Sequence, residues 1–571
     1  MKKIIFPLIA VVAIVLGYNY FKGGSSTKGA NLETLLEYVP KDTPYLFANK
    51  KPTSDEFRQR QAKSFDSLLA NLEKQRPKNK AYKFLSSLVK SYKDNNFQDY
   101  GLLKDRSAVV YGYNYYPVAR TQITDSKTFI NALEKMAKET NSTIKWQDCA
   151  GYKCTYENIE KNFTLAIVVK SKTVAMALYP ADKKDEYIKH LTNKADSKNS
   201  YSMADFDKML SENNFKGYSD GFIKLKPTLK GIISHITTYK ELNSAQKAKL
   251  TECLAPMADD FTNYVDKITV GYKELDTDKI ESEVVIHTTK SVADTLKTVV
   301  SKNAINKETK EPLYAMGLRV DAKNLSNAMM SLTNYTVSEA KKYKCSSIDT
   351  STLLQNASSA SLMLSMFGSQ VSEAYIGFEK IKISEKDGKP ELVGALIEIV
   401  SANPTALIGM LKAKSPSLAN VNFPKDGKEI DLLEVLPKPS PKFITSLSAS
   451  LKDNTISVNV SNAATKEFKD EKHTLLWFNM NNNKLLDFFN ESVKSTITKR
   501  KISLEKLKNM GVLNENDYKK RVEALQQREE KSITGYKAIM GAYPKDFETA
   551  LSIFIDDRGI VIGTKQERVK Q

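Results

Sequence analysis

One plan recurs along this chain and limits its fold more than any other feature. A short strand pattern leads into an amphipathic helix, a second helix follows, and a pair of strands with period-two alternation closes the unit. The openings are 221–226 before a helix at 229–233, 314–320 before 325–330, and 475–480 before 485–489. In the closing pairs, Ile268, Val270 and Tyr272 meet Val284 and Ile286, while Ile376 and Phe378 meet residues 392–400 across a turn at 386–389. Leu447, Ala449 and Leu451 meet Ile456, Val458 and Val460; Leu551, Ile553 and Ile555 meet Ile560 and Ile562 across 556–559. Polar or proline residues start the helices that follow three strand pairs: Asp125 with Ser126, Ser291, and Ser401 with Pro404. Such residues satisfy the first backbone N–H groups of a helix. The pattern predicts an α+β fold of repeated strand-helix-strand-strand units, with antiparallel sheets and helices on one face. Ahead of these units, the apolar spacing at 57–72 and 82–89 predicts two core-facing helices broken at Pro77.

Among 571 residues only one apolar run is long enough for a bilayer, at 4–21, so a multi-span membrane protein is excluded. Eighteen helical residues reach about 27 Å, just enough to span. Lys2 and Lys3 precede the run, which marks an export signal. Tyr18, Asn19 and Tyr20 occupy the place of a small-residue cleavage site, and the first cysteine is Cys149, far from a lipoprotein position. The expectation is an uncleaved signal anchor, one N-terminal transmembrane helix, with about 540 residues outside. A cleaved signal peptide is the alternative. Organisation then reads as an anchor at 1–21, a linker at 22–36, and a first α+β region with its helix pair at 37–205. A second unit follows at 206–311, a third with an extra hairpin at 312–470, and a C-terminal unit at 471–571 with a helical hairpin inserted at 496–535.

Charge is a weaker guide. Lys and Arg total 86 against 67 acids, a net +19, and only 11 of the bases are Arg. Lysine is a hydrated point charge, and here it is scattered among acids rather than gathered in a stripe. This speaks for a solubilising surface with some attraction to anionic lipid, and against nucleic acid.

Four cysteines in an exported chain suggest pairs. Cys149 and Cys154 flank a four-residue loop that a hairpin disulfide could close. Cys253 and Cys345 hold similar places in neighbouring units and are candidates for a second bridge.

No nucleophile elbow, zinc-binding helix, phosphate loop or dinucleotide fingerprint occurs, and His190, His235, His287 and His473 are too dispersed to share a metal. Ser-x-x-Lys pairs occur as often as the lysine content dictates. The expectation is a non-enzyme with no catalytic, metal or cofactor-binding residues and no cofactor. One local feature stands out: Tyr111, Tyr113 and Tyr115 alternate along a strand and would share one face. Such a row offers either a partner platform or a packing row beneath a helix.

Two resemblances can be drawn. Residues 504–525, with leucines, Gly511 ending one helix and Asn514 capping the next, resemble the short C-terminal helical-hairpin domains of many bacterial proteins. That resemblance implies oligomerisation through 504–525. Residues 38–49, with Pro40, Asp42, Thr43 and Pro44, are similar to the ectodomain opening of uncharacterised Gram-negative envelope proteins that carry an N-terminal signal anchor. That resemblance implies a single-pass inner-membrane protein with a periplasmic ectodomain. The expected role is scaffolding or binding of another envelope component; the alternative is carriage of lipid or another hydrophobic ligand.

Overall fold

The computed structural model describes residues 30–51, 54, 99, 101–103, 107–139, 143–160, 163–196, 198–237, 243–301, 305, 307–345, 348–368, 371–383, 390–435, 444–467, 473–540 and 546–569. The expected anchor at 4–21 and the expected helices at 57–72 and 82–89 lie outside the described residues. Among the described residues, no helix is long and apolar enough to cross a membrane. The fold is mixed α+β with antiparallel sheets, and the chain divides into two compact units. Unit 1 is Met1–Thr289 with Ala340–Ser347; unit 2 is Lys290–Glu339 with Ile348–Gln571.

Unit 1 begins with α1 (Ala30–Leu36), β1 (Tyr45–Ala48), β2 (Ala108–Tyr113), β3 (Tyr116–Gln122) and α2 (Ser126–Glu139). Four strands follow: β4 (Gln147–Cys149), β5 (Tyr152–Glu160), β6 (Phe163–Lys170) and β7 (Thr173–Pro180). Then come α3 (Lys184–Thr192), α4 (Met203–Leu210), β8 (Asp220–Lys224), α5 (Leu225–Thr237), α6 (Ser244–Phe261), β9 (Val265–Leu275) and β10 (Lys279–Thr288). The strands pair antiparallel in the order β10-β9-β8-β1-β2-β3-β7-β6-β5-β4. Leu32, Leu35 and Leu36 lie at helical spacing on α1 and are buried with Phe206 and Leu210 of α4. They join Leu46, Val109, Val118 and Phe222 of the sheet in one core. Helix α4 starts where it does because Ser202 and Asp205 cap it reciprocally. Asp205 N donates to Ser202 Oγ at 3.1 Å, and Ser202 N donates to Asp205 Oδ2 at 3.2 Å.

Unit 2 contains α7 (Lys290–Val299), β11 (Lys307–Thr309), β12 (Tyr314–Arg319), α8 (Ala322–Lys342), whose last turn falls in unit 1, α9 (Thr350–Gly368), β13 (Glu373–Ile383) and β14 (Pro390–Val400). Next are α10 (Pro404–Lys414), β15 (Ile430–Asp431), β16 (Leu447–Lys452), β17 (Thr455–Val460) and β18 (Thr465–Glu467). The chain continues through β19 (Thr474–Asn481), α11 (Asn482–Asn509), α12 (Glu515–Met540), β20 (Phe547–Asp556) and β21 (Gly559–Arg568). The main sheet runs β15-β16-β17-β14-β13-β12-β19-β20-β21, again antiparallel throughout. Strands β11 and β18 form a separate ribbon.

The two sheets share one wiring. In each, a first strand (β1, β12) is flanked by its closing hairpin on one side and by the opening strand of the next module (β8, β19) on the other. In each, the hairpin's far edge is extended by a strand that arrives after a helix (β7, β17). The strand–helix–helix–hairpin plan holds at β8–α5–α6–β9–β10, β12–α8–α9–β13–β14 and β19–α11–α12–β20–β21. The last helix pair spans 482–540 rather than 496–535, and by its place it is a regular part of the plan, equivalent to α5–α6 and α8–α9.

Local expectations are met with two adjustments. Asp125 accepts from Thr128 N at 2.8 Å and so caps α2. Helix α10 has Pro404 in its first turn, but its cap is Asn403, which accepts from Ala406 N, while Ser401 Oγ accepts from Asn403 N. Ser291 sits inside α7 rather than before it.

Candidate functional site

The β2–β3 hairpin carries the tyrosines singled out above. Tyr111 and Tyr113 alternate within β2 and share a face, but β2 ends there. Tyr115 is in the turn, where Asn114 and Tyr115 adopt φ of 45° and 71°. Two left-handed residues give the hairpin a twist that matches its strands. The expected row of three is therefore a row of two. The Tyr115 ring instead lies on Gly231 of α5, where a Cβ would stand 2.0 Å from Tyr115 Cδ1. Tyr115 remains 41% exposed.

Tyr111 is fully buried in a polar cluster that no sequence motif announces. Arg120 Nε donates to Tyr111 Oη at 3.1 Å, and Tyr111 Oη stands 2.8 Å from His190 Nε2. The phenol oxygen thus bridges the guanidinium, from which it accepts, and the imidazole. Burial, and then the adjacent Arg120 charge, lower the His190 pKa from 6.5 to about 3. The imidazole is thus neutral across the physiological range. The Tyr113 ring stacks on it with centroids 3.7 Å apart and planes 3° from parallel. Burial, and secondarily Glu186, raise the Tyr113 pKa.

Arg120 itself is buried, and among the described residues no carboxylate pairs with it. Its Nη2 donates to the carbonyls of His190 at 3.1 Å and Leu191 at 3.0 Å, at the C-terminal turn of α3. That is the negative end of the helix dipole. The guanidinium also lies 4.0 Å from the centre of the Tyr38 ring. Around this, Tyr187 Oη donates to Tyr113 O at 2.7 Å, and the Tyr187 ring stacks on Tyr179 at 4.6 Å. Burial pushes the Tyr179 pKa up to about 12. The cluster acts as a polar rivet between α3 and the sheet: the phenol and guanidinium are buried, and the imidazole is half-buried against them.

A second constellation also escapes sequence reading, because its members are far apart in the chain. Thr269 Oγ1 is 2.8 Å from His287 Nε2, and His287 Nδ1 is 3.2 Å from Glu212 Oε2. Hydroxyl, imidazole and carboxylate stand in the order of a nucleophile, base and orienting acid. Thr269 is fully buried in β9, however, so no substrate carbonyl can approach it. The arrangement ties the β9–β10 hairpin to the turn after α4.

The cysteines pair as expected: Cys149 with Cys154 and Cys253 with Cys345, with Cα atoms 6.0 Å and 5.1 Å apart. The first hairpin is tighter than expected. Ala150 and Gly151, at φ of 53° and 80°, form a two-residue turn, so Cys154 faces Gln147 and the bridge runs diagonally. Both bridges lie in unit 1.

In unit 2, the buried Arg319 stands 3.8 Å from the buried Glu373 and 4.9 Å from the Trp477 ring centre. Glu373 Oε2 accepts from Ile305 N at 3.1 Å, Glu398 Oε2 from Lys307 N at 3.3 Å, and Tyr375 Oη from Thr309 N at 2.9 Å. Every second N–H of the segment leading into and through β11 is thus met by a side chain of the main sheet, while β18 pairs with β11. Among the described residues, no three His, Cys, Asp or Glu side chains are grouped to hold a metal.

Comparisons of the chain with family models, with curated proteins and with solved structures find no match.

Proposed function

We propose that this chain is a non-enzymatic periplasmic protein, held in the bacterial inner membrane by residues 4–21, that scaffolds or binds another envelope component. The pairing of all four cysteines carries the reading, since paired cysteines suit an oxidising compartment. It is supported by the roles of Arg120, Tyr111, His190, Thr269 and His287, whose reactive groups are taken up in internal packing. Photo-crosslinkers placed at the exposed Leu362 and Met363 of α9, followed by pull-down from cells, test it. A defined envelope adduct is expected; an ectodomain that stays monomeric and uncrosslinked argues against it. A reporter fused after Gln571 that works only in the cytosol overturns the placement.

A second reading, carriage of a lipid or another hydrophobic ligand, is favoured by the exposed Leu332, Leu362 and Met363 on the α8–α9 pair. Native mass spectrometry is expected to find a co-purified lipid under that reading, and protein that is consistently empty dismisses it.

A further inference from the structure

We propose that the apex of the α11–α12 hairpin docks on an anionic lipid bilayer. The hairpin has arms of 28 and 26 residues, which at 1.5 Å per residue are each about 40 Å long. From 498 to 524 none of its residues is buried, so its outer half stands clear of the unit 2 sheet.

The apex is rigid. Helix α11 ends in a Schellman turn: Gly511 takes φ 74°, Val512 N donates to Leu507 O at 3.0 Å, and Gly511 N donates to Lys508 O at 2.9 Å. Asn514 then caps α12 by accepting from Asp517 N at 2.8 Å. Between these two caps, Met510 and Val512 are held 66% and 65% exposed. Ile502, on the same arm, is also exposed.

Charge identifies the occupant. Residues 494–521 carry nine Lys or Arg against Glu505, Glu515 and Asp517, a local excess of 9 − 3 = +6. Glu515 is engaged by Lys508 at 2.7 Å and Lys519 at 3.8 Å. The remaining cations form a basic collar behind the apolar apex, with Lys506 about one turn back, Lys520 and Arg521 about two, and Lys499, Arg500 and Lys501 about three. Apolar side chains at a convex tip, with long cationic side chains behind them, match the bilayer interface: the tip enters the acyl boundary and the ammonium groups meet the phosphates. A protein partner needs about 800 Å² of surface on each side, which a two-residue apex does not offer. A bilayer needs only the tip.

The test uses the full chain carrying Val512→Trp, mixed with vesicles of brominated phosphatidylcholine, with or without phosphatidylglycerol. The two native tryptophans are subtracted using the unaltered protein. Because residue 512 is exposed, folding is expected to be unchanged by circular dichroism. The introduced indole should shift to the blue and be quenched by bromine several-fold more strongly when phosphatidylglycerol is present. Adding Lys519→Glu and Lys520→Glu should remove that preference, and Glu523→Trp, further up the hairpin, should stay unquenched. Any membrane segment at 4–21 would hold the protein on both kinds of vesicle alike, so the difference reports the apex alone. An indole that stays in water on both vesicles overturns the proposal, as does a blue shift that appears without lipid and grows with protein concentration, which would place a second copy on the apex.

Discussion

The ring of Phe47 lies directly over Gly221 across the β1–β8 pair, so closely that a Cβ at 221 would stand 2.1 Å from Phe47 Cδ1. Unit 2 repeats the arrangement with the partners exchanged. Gly317 of β12 faces Trp477 of β19, and a Cβ there would stand 2.0 Å from the indole. A glycine beneath an aromatic ring at the junction of two modules lets the ring cover the strand. Gly221→Ala and Gly317→Ala must push these rings off their seats. Each is expected to destabilise its unit by about 1–3 kcal/mol, seen as a lower urea midpoint with an unchanged slope.

Tyr111→Phe removes one hydroxyl and leaves both Arg120 Nε and His190 Nε2 without their buried partner. The expected cost is about 1–3 kcal/mol, measured by chemical denaturation. Tyr113→Leu, which removes a stacked ring but no buried hydrogen bond to the imidazole, is the comparison.

His190 gives unit 1 a defined pH dependence. Its pKa is about 3 when folded and near 6.5 when unfolded, so between those values the unfolded chain binds the extra proton. Stability from this group is complete above 6.5 and falls as pH drops toward 3, with a slope of up to about 1.4 kcal/mol per pH unit. Denaturation midpoints across that window should flatten in His190→Gln relative to the unaltered protein.

The two disulfides differ in the loops they close, 5 residues for Cys149–Cys154 and 92 for Cys253–Cys345. Chain-entropy scaling gives about 2 kcal/mol for the first and about 4–5 kcal/mol for the second. Replacing Cys253 and Cys345 by serine should therefore lower the melting temperature more than replacing Cys149 and Cys154.

Glu373→Ala removes the carboxylate beside the buried Arg319 and frees Ile305 N. The expected loss is about 3–5 kcal/mol. Increased amide hydrogen exchange at 305–309 would show the β11 ribbon lifting from the sheet.

Hairpins were the part of this fold written most plainly in the sequence. Ile553 pairs with Ile562, Ile555 with Ile560, and Leu451 with Ile456, because period-two alternation around a tight turn leaves a single register that buries the apolar face. The joins between modules were not legible. Tyr45 opposite Ile223 and Met316 opposite Phe478 are choices among strands of similar pattern, decided by packing over long stretches of chain. Tyr115 departs from the expected row because the β2–β3 turn is Asn114-Tyr115, which lacks the glycine that usually marks such a turn. Arg120 and His190 gave no signal, since a polar rivet needs only that two distant side chains arrive at one helix end.

The sheet order has a consequence for synthesis. Strand β1 is zipped to β2 on one border, but its other border stays bare until β8 has emerged; β12 waits in the same way for β19. During that interval each half of the protein displays an open row of amides, the surface on which strangers stick. A chain cut between modules would keep that row open, so the second module of each pair is also what closes the first against strangers.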